Sequence, residues 1–386
     1  MKRLLGNLAL LLGSTVAMLL VAEGALRLLG FPPSFRVSDD TIGYRLRPNA
    51  RYRWADEGFS EGHINAAGWR DRDYPEARSA GTTRILFCGD SYVEGLQVPL
   101  DSTFHKRLER RLNAGAAGHR FEVMAMGEGG AGTTQEYLMY RNWGARYDPD
   151  IVAVLFVLND PGDNWLRDAA DSGRPYFVED GDSLRLDFSF ASAPGYRRRK
   201  EHEWLKLDSS LLTLAAKVRL DLRARFRPTA AQAGLVAPHG WYAAWNLYVP
   251  PEADSIPAFR LTARILGRFA VDVRRDGRRF VVFSAGMSEQ QDRDELARLR
   301  GTSGFDPDKT DRWLASVGER YGFEVVPLTP AFRAACAAGG PSLWFGSTMR
   351  HGHWNAAGHA LAADVMGDSL ASRLPGLRAA ASSPPR

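Results

Sequence analysis

Four short stretches of the chain hold residue types that could do covalent chemistry. Ser91 follows Gly89-Asp90, with Gly95 a little further on. Gly127 and Gly130 stand in a second stretch, and Asn159-Asp160 closes a third. His351-Gly352-His353-Trp354-Asn355 forms the fourth. A serine hydroxyl is a weak nucleophile until a base takes its proton, and His353 is the candidate base. Attack on an acyl carbon builds an oxyanion, which needs preorganised donors. A glycine, having no Cβ, lets a substrate come close to such backbone donors. Each residue also has a plainer role open to it: Ser91 as a helix N-cap, Gly130 as a turn glycine, Asn159 as a strand cap. His351 and His353 make an HxH pair with His359 nearby, but carboxylates or cysteines at ligand spacing are lacking, so no metal site is expected. Asp90 is expected to bond amides around the serine turn and Trp354 to pack beneath the histidine loop. His359 is expected to pack or to lie at the surface.

The elements that must position these residues alternate. Arg84–Cys88 is a short apolar run ending at glycine, Phe104–Leu112 an amphipathic helix, and Phe121–Met126 a second strand. Thr134–Trp143 follows as a helix. Ile151–Leu158 is almost continuously apolar, as a central parallel strand covered on both faces should be. Residues 161–255 break the alternation. They carry Trp165, Trp204, Trp241 and Trp245, a hairpin turning at Asp180-Gly181, and an amphipathic basic stretch, Leu211–Phe226. Ile256–Arg275 resumes the pattern, followed by strand Phe280–Phe283, helix Trp313–Tyr321, strand Phe323–Leu328 and helix Ala356–Leu370. Five strands alternating with helices predict an α/β fold, an open parallel five-stranded sheet with helices on both faces. Ligands bind at the carboxyl ends of such strands, and all four stretches fall there or close by. The expected divisions are 1–30 as a membrane anchor, 31–80 as an irregular arm, 81–375 as the main domain with an insert at about 161–255 acting as a cap, and 376–386 as a loose tail.

At these blocks the sequence resembles the SGNH, or GDSL-type, hydrolases. The blocks are GDSYVEG from Gly89, MGEGGAGTTQE from Met126, VLND from Val157 and HGHWNAAGH from His351. The resemblance covers about residues 83–160 and 278–372. Gly43-Tyr44-Arg45-Leu46 and Asn65-Ala66-Ala67-Gly68-Trp69-Arg70 are similar to the arm of membrane-anchored bacterial members. The resemblance implies a flavodoxin-like sheet, catalytic Ser91 and His353, and an oxyanion hole made of the Ser91 and Gly130 backbone N–H groups with the Asn159 amide. Three positions depart from the family pattern. Val157 replaces a glycine and Ala125 an asparagine. Arg350 and His351 stand where the family carries the aspartate that orients its histidine. Loss of that carboxylate in a serine triad costs about 10⁴ in rate. The expectation is therefore a slow enzyme with His351 in the acid's place. A Ser–His dyad, or a remote carboxylate such as Asp306 or Asp308, are the alternatives.

Lys2 and Arg3 precede an uncharged run, Leu4–Ala22, that approaches the roughly 20 residues a bilayer-spanning helix needs. Its basic flank should stay in the cytoplasm. This predicts a single-pass inner-membrane protein whose bulk is periplasmic, with a cleaved signal peptide as the alternative. Over 386 residues, 45% hydrophobic and 25% charged content excludes wholesale disorder, and a net charge of +5 is too mild for a nucleic-acid reader. The two cysteines, Cys88 and Cys336, rule out a disulfide framework and are expected to be buried thiols. No cofactor is expected. The address and the aromatic insert point to an esterase acting on O-acyl, above all O-acetyl, groups of a surface polysaccharide. The alternatives are an acyltransferase to a glycan hydroxyl, a catalytically impaired glycan-binding or assembly protein, and a lipid esterase. Oligomeric state is not legible.

Overall fold

The computed structural model describes residues 2–114, 119–165, 173–226, 252–286, 301, 303–346 and 352–372. Helix α1 spans Lys2–Leu28, with no buried residue, and is long and apolar enough to cross a bilayer. The arm that follows is not irregular. It folds into two antiparallel hairpins, β1 (Arg36–Asp39) with β2 (Gly43–Leu46), and β3 (Arg51–Trp54) with β4 (Ser60–His63). Four-residue strands of mixed polar and apolar residues show too little alternation to announce themselves.

The main sheet begins with β5 (Thr82–Gly89), which leads through α2 (Ser91–Glu94) and α3 (Phe104–Ala114) to β6 (Arg120–Gly127). Helix α4 (Thr133–Asn142) connects to β7 (Ile151–Phe156), which ends in the short α5 (Asp160–Asp163). The hairpin β8 (Tyr176–Asp180) and β9 (Ser183–Asp187) follows, then α6 (Pro194–His202), α7 (Trp204–Leu207) and α8 (Ser210–Phe226). The alternation resumes with α9 (Pro257–Arg275), β10 (Arg279–Ser284), α10 (Lys309–Tyr321), β11 (Glu324–Pro327), α11 (Thr329–Ala337) and α12 (Ala356–Ala371). Five parallel strands lie in the order β6-β5-β7-β10-β11. Counting only these strands, the order is 2-1-3-4-5, the flavodoxin-like order. Every residue of β7 is buried, which is what its unbroken apolar run requires. Helices pack in two groups, α3 with α11 and α12, and α4 with α9 and α10.

Strand order reverses between β5 and β7, and a crevice opens there beyond their carboxyl ends. Ser91 stands at the end of β5 and Asn159 just past β7, so both face the switch point.

The segment between α5 and α9, expected as a cap, covers the core only in part: Phe177 is buried in it, and Leu184 and Leu186 pack against it. Trp165 packs against the core, but Trp204 is exposed, and Leu212, Val218 and Leu222 of α8 are exposed as well. Helix α8 instead adjoins α1. Glu23 accepts hydrogen bonds from the Ser210 and Leu211 backbone N–H groups at its first turn. Trp241 and Trp245, and the 376–386 tail, lie outside the described residues. Cys88 is buried as expected, whereas Cys336 is only half-buried.

Candidate active site

The tight turn after β5 sets Ser91 at the start of α2. Asp90 caps that turn by accepting from the Tyr92 backbone N–H at 2.9 Å, the role its position suggested. Gly95 ends α2 in the left-handed conformation at φ 62°. The Asn65–Arg70 motif braces the turn from below. Asn65 accepts from the Trp69 N–H, delivering Arg70 into the interior. The buried Arg70 guanidinium donates to the Gly95 and Val98 carbonyls at 2.6 and 2.5 Å, and its Nε donates to the Tyr52 hydroxyl at 2.7 Å.

His353 precedes α12. Trp354 lies beneath it, fully buried, with its indole N–H on the Gly286 carbonyl at 2.9 Å and its ring edge-on to Tyr92. The Tyr92 ring also lies 5.0 Å from the His353 ring. These contacts aim His353 Nε2 at Ser91 Oγ, 2.8 Å away. The other ring nitrogen, Nδ1, lies 2.5 Å from Glu57 Oε2, and the backbone N–H of His353 donates to Glu57 Oε1 at 2.9 Å. Both ring nitrogens are thereby taken.

Glu57 corrects the expectation of a site without a carboxylate. It comes from the arm, on the loop between β3 and β4, where the Trp54 indole N–H donates to its backbone carbonyl at 2.9 Å. Asp306 and Asp308 are elsewhere, paired with Arg312 and Arg333. His351 lies outside the described residues. Burial works against a charged His353 ring, but the hydrogen bond and charge of Glu57, with Asp90 and Glu94 behind, outweigh it and raise the pKa above the ordinary 6.5. Burial likewise disfavours ionised Glu57, and its bonds to His353 overcome that, holding the carboxyl below its usual 4.5.

Gly130 has φ +73°, and a Cβ there would meet the Arg174 guanidinium at 3.1 Å. Both the backbone angle and the space call for glycine. The Asn159 side-chain N–H₂ donates to Asp163 at 2.7 Å and reaches Asp90 at 3.3 Å. Burial raises both carboxyls, Asp163 to about 7. His359 is buried, stacks on Phe104 and accepts from its backbone N–H at 3.2 Å. It packs, and takes no part in the site.

A crevice of about 380 Å³ lies over these groups, lined by Arg36, Tyr44, Trp54, Ser91, Glu94, Gln97, Gly129 and His353. A larger hollow of about 670 Å³ sits against Ile151, Arg279, Phe280 and Glu324, at the opposite ends of the strands, away from Ser91.

No family model matches the chain, and no curated protein matches it. Among solved structures it is similar to Axe2, an acetylxylan esterase from Geobacillus stearothermophilus, at 12% identity over 74% of this chain and 92% of that one, TM-score 0.40. It is also similar to the acetyl xylan esterase AlAXEase, at 10% identity over 75% of this chain and 100% of that one, TM-score 0.39. A third is LAE5, an alpha/beta hydrolase enzyme from the metagenome of Lake Arreo, Spain, at 14% identity over 74% of this chain and 93% of that one, TM-score 0.39. Likeness at this level shows neither a family nor an activity.

Proposed function

We propose that this chain is a serine esterase of the SGNH type, anchored by α1 with its domain in the periplasm, that removes acyl groups, chiefly O-acetyl, from a surface polysaccharide. The observation that carries the reading is the continuous Ser91–His353–Glu57 chain of hydrogen bonds at the switch point. An ionised carboxylate can only accept, so Glu57 fixes the proton of His353 on Nδ1. The Nε2 lone pair then faces the Ser91 hydroxyl. Ser91 Oγ attacks the acyl carbon while its proton passes to Nε2, and Glu57 stabilises the imidazolium that forms. The tetrahedral oxyanion is received by the backbone N–H groups of Ser91 and Gly130 and by the Asn159 amide, which gives up its longer bond to Asp90 to donate there. Collapse breaks the bond to the alcohol oxygen, which takes the proton from Nε2. Water then attacks the acyl carbon as His353 takes its proton, and Ser91 Oγ departs with that proton, releasing the acyl group as a carboxylic acid and restoring the site.

The address rests on Lys2 and Arg3, whose charge favours the cytoplasmic side of an apolar helix with no buried residue. Added protease should digest the domain in spheroplasts, and protection behind an intact inner membrane would reject this topology. The chemistry is tested with a fluorophosphonate probe. Wild-type protein should be labelled and Ser91→Ala should not; an unlabelled wild type, or equal labelling of both, would overturn the proposal.

A further inference from the structure

The arm contributes Arg36, Tyr44 and Trp54 to the lining of the crevice beside Ser91, as well as the Glu57 that meets His353. Its volume of about 380 Å³ falls within the range of small-ligand pockets. Trp54 spends its indole N–H on the Glu57 carbonyl. Tyr44 spends its hydroxyl on the Gly129 carbonyl at 3.2 Å. What these two rings offer a ligand is therefore carbon surface. Gln97 differs from both. It is 3% exposed, and among the described residues its buried side-chain Oε1 has no hydrogen-bond partner. An unsatisfied buried amide is costly and rare in a native interior, so a group that needs a partner is held at the lining of the crevice. Arg36 binds both oxygens of Glu94, at 2.8 and 3.0 Å, and also contacts Glu128, whose carboxyl burial pushes well above its usual 4.5 toward the neutral form, so that one guanidinium meets one carboxylate. Carbon faces, one unmet amide and compensated charge describe a neutral ligand with C–H faces and hydroxyl edges.

Resting on the esterase reading, we infer that this crevice is a subsite for the neutral pyranose that bears the ester. Its ring packs on Trp54 and Tyr44, and one of its hydroxyls donates to the Gln97 amide oxygen. Among the described residues its aromatic faces come from the arm: of the insert's tryptophans described, Trp165 packs against the core and exposed Trp204 lies on α7.

The test uses the full chain in detergent micelles, with Ser91→Ala to prevent turnover, titrated calorimetrically with methyl 6-O-acetyl-glucopyranoside. Binding should weaken about tenfold when Gln97→Leu is added, the worth of one hydrogen bond. Trp54→Leu should weaken it at least as much. Affinity unchanged by both substitutions, or no binding by the Ser91→Ala parent, would overturn the subsite. Turnover by the Ser91-intact chain is measured separately with 4-nitrophenyl acetate. Sugar binding without any turnover leaves the subsite standing and removes the esterase reading. Turnover of the aryl ester without sugar binding does the reverse.

Discussion

Replacing Glu57 by glutamine should disable the site without emptying it. The carboxylate accepts twice from His353, on Oε2 from the ring Nδ1–H and on Oε1 from the backbone N–H. A glutamine has only one acceptor oxygen to offer. If that oxygen meets the ring, the new N–H₂ faces the backbone N–H, donor against donor. If it meets the backbone, the N–H₂ faces Nδ1 and forces the ring proton onto Nε2, where it cannot accept from Ser91. The imidazolium also loses its counter-charge. In a fully enclosed triad such a change costs about 10⁴ in rate. Here the side chains of His353 and Glu57 remain 28% and 18% exposed, so solvent screens part of the lost charge. The expected fall in kcat is therefore about 10³, or roughly 4 kcal/mol of barrier at 1.36 kcal/mol per tenfold. The pH profile gives a second readout. The base must be neutral to act, so kcat/KM in the wild type should rise with pH through a pKa above 6.5, which Glu57 raises. Glutamine removes that contribution and leaves burial, so the rising limb should move to lower pH. The assay is 4-nitrophenyl acetate hydrolysis between about pH 5 and 9. A variant within threefold of wild-type kcat with an unmoved limb would refute the assignment of Glu57.

Other perturbations probe the same frame. Asn159→Ala should lower kcat by roughly 10²–10³ with little change in KM, as for loss of one oxyanion donor; a change confined to KM would remove Asn159 from the oxyanion hole. Gly58, next to Glu57, has φ +65°, and a Cβ there would lie 2.1 Å from the Gln97 carbonyl oxygen. Gly58→Ala should therefore displace the acid and lower kcat toward the Glu57→Gln level; wild-type kcat would show that the loop yields without moving the carboxylate. Burial, helped by the charges of Arg70, Arg107 and His353, holds His359 neutral with a pKa of about 3. An unfolded histidine titrates near 6.5, so between about pH 6.5 and 3 the unfolded chain binds the extra proton and stability falls as pH falls, by up to about 1.4 kcal/mol per unit. His359→Gln keeps an acceptor for the Phe104 N–H and does not titrate, so it should flatten the denaturant-midpoint loss over that window; an unchanged slope would mean that His359 is not its source.

Much of the frame was legible because parallel strands buried on both faces leave an unmistakable mark. Ile151–Phe156 and Phe280–Phe283 are continuous apolar runs, and the residues past their ends are forced toward the crevice. Ser91, His353 and Asn159 could be named because each sits at a fixed offset from such a strand or from a helix start. The arm offered no comparable mark. Its strands of four residues carry arginines beside Tyr52 and Trp54, and their pairing is decided by what lies beneath, where Tyr52 receives the Arg70 guanidinium. The neighbour of helix α8 was not legible, because an apolar stripe shows that something covers it without saying what.

The acid was hidden for a different reason. A carboxylate that orients a histidine needs only a place in space, and nothing ties that place to a sequence offset. Glu57 lies 296 residues before its histidine, on a loop of no regular pattern. The usable signal was negative: no Asp or Glu stands just before His353, so a working triad had to import one. The import has a structural consequence. The segment that joins α1 to the sheet carries the candidate acid and much of the crevice wall, and the buried Arg70 at its end clamps the turn that holds Ser91. In the family pattern one loop holds both acid and base, and their distance is set locally. Here that distance depends on how the arm docks, through Arg36 on Glu94 and Glu128 and Arg70 on the Gly95 and Val98 carbonyls. Substitutions in the arm that spare Glu57 itself are thus expected to act on the rate of acyl transfer as well as on the recognition of what carries the acyl group.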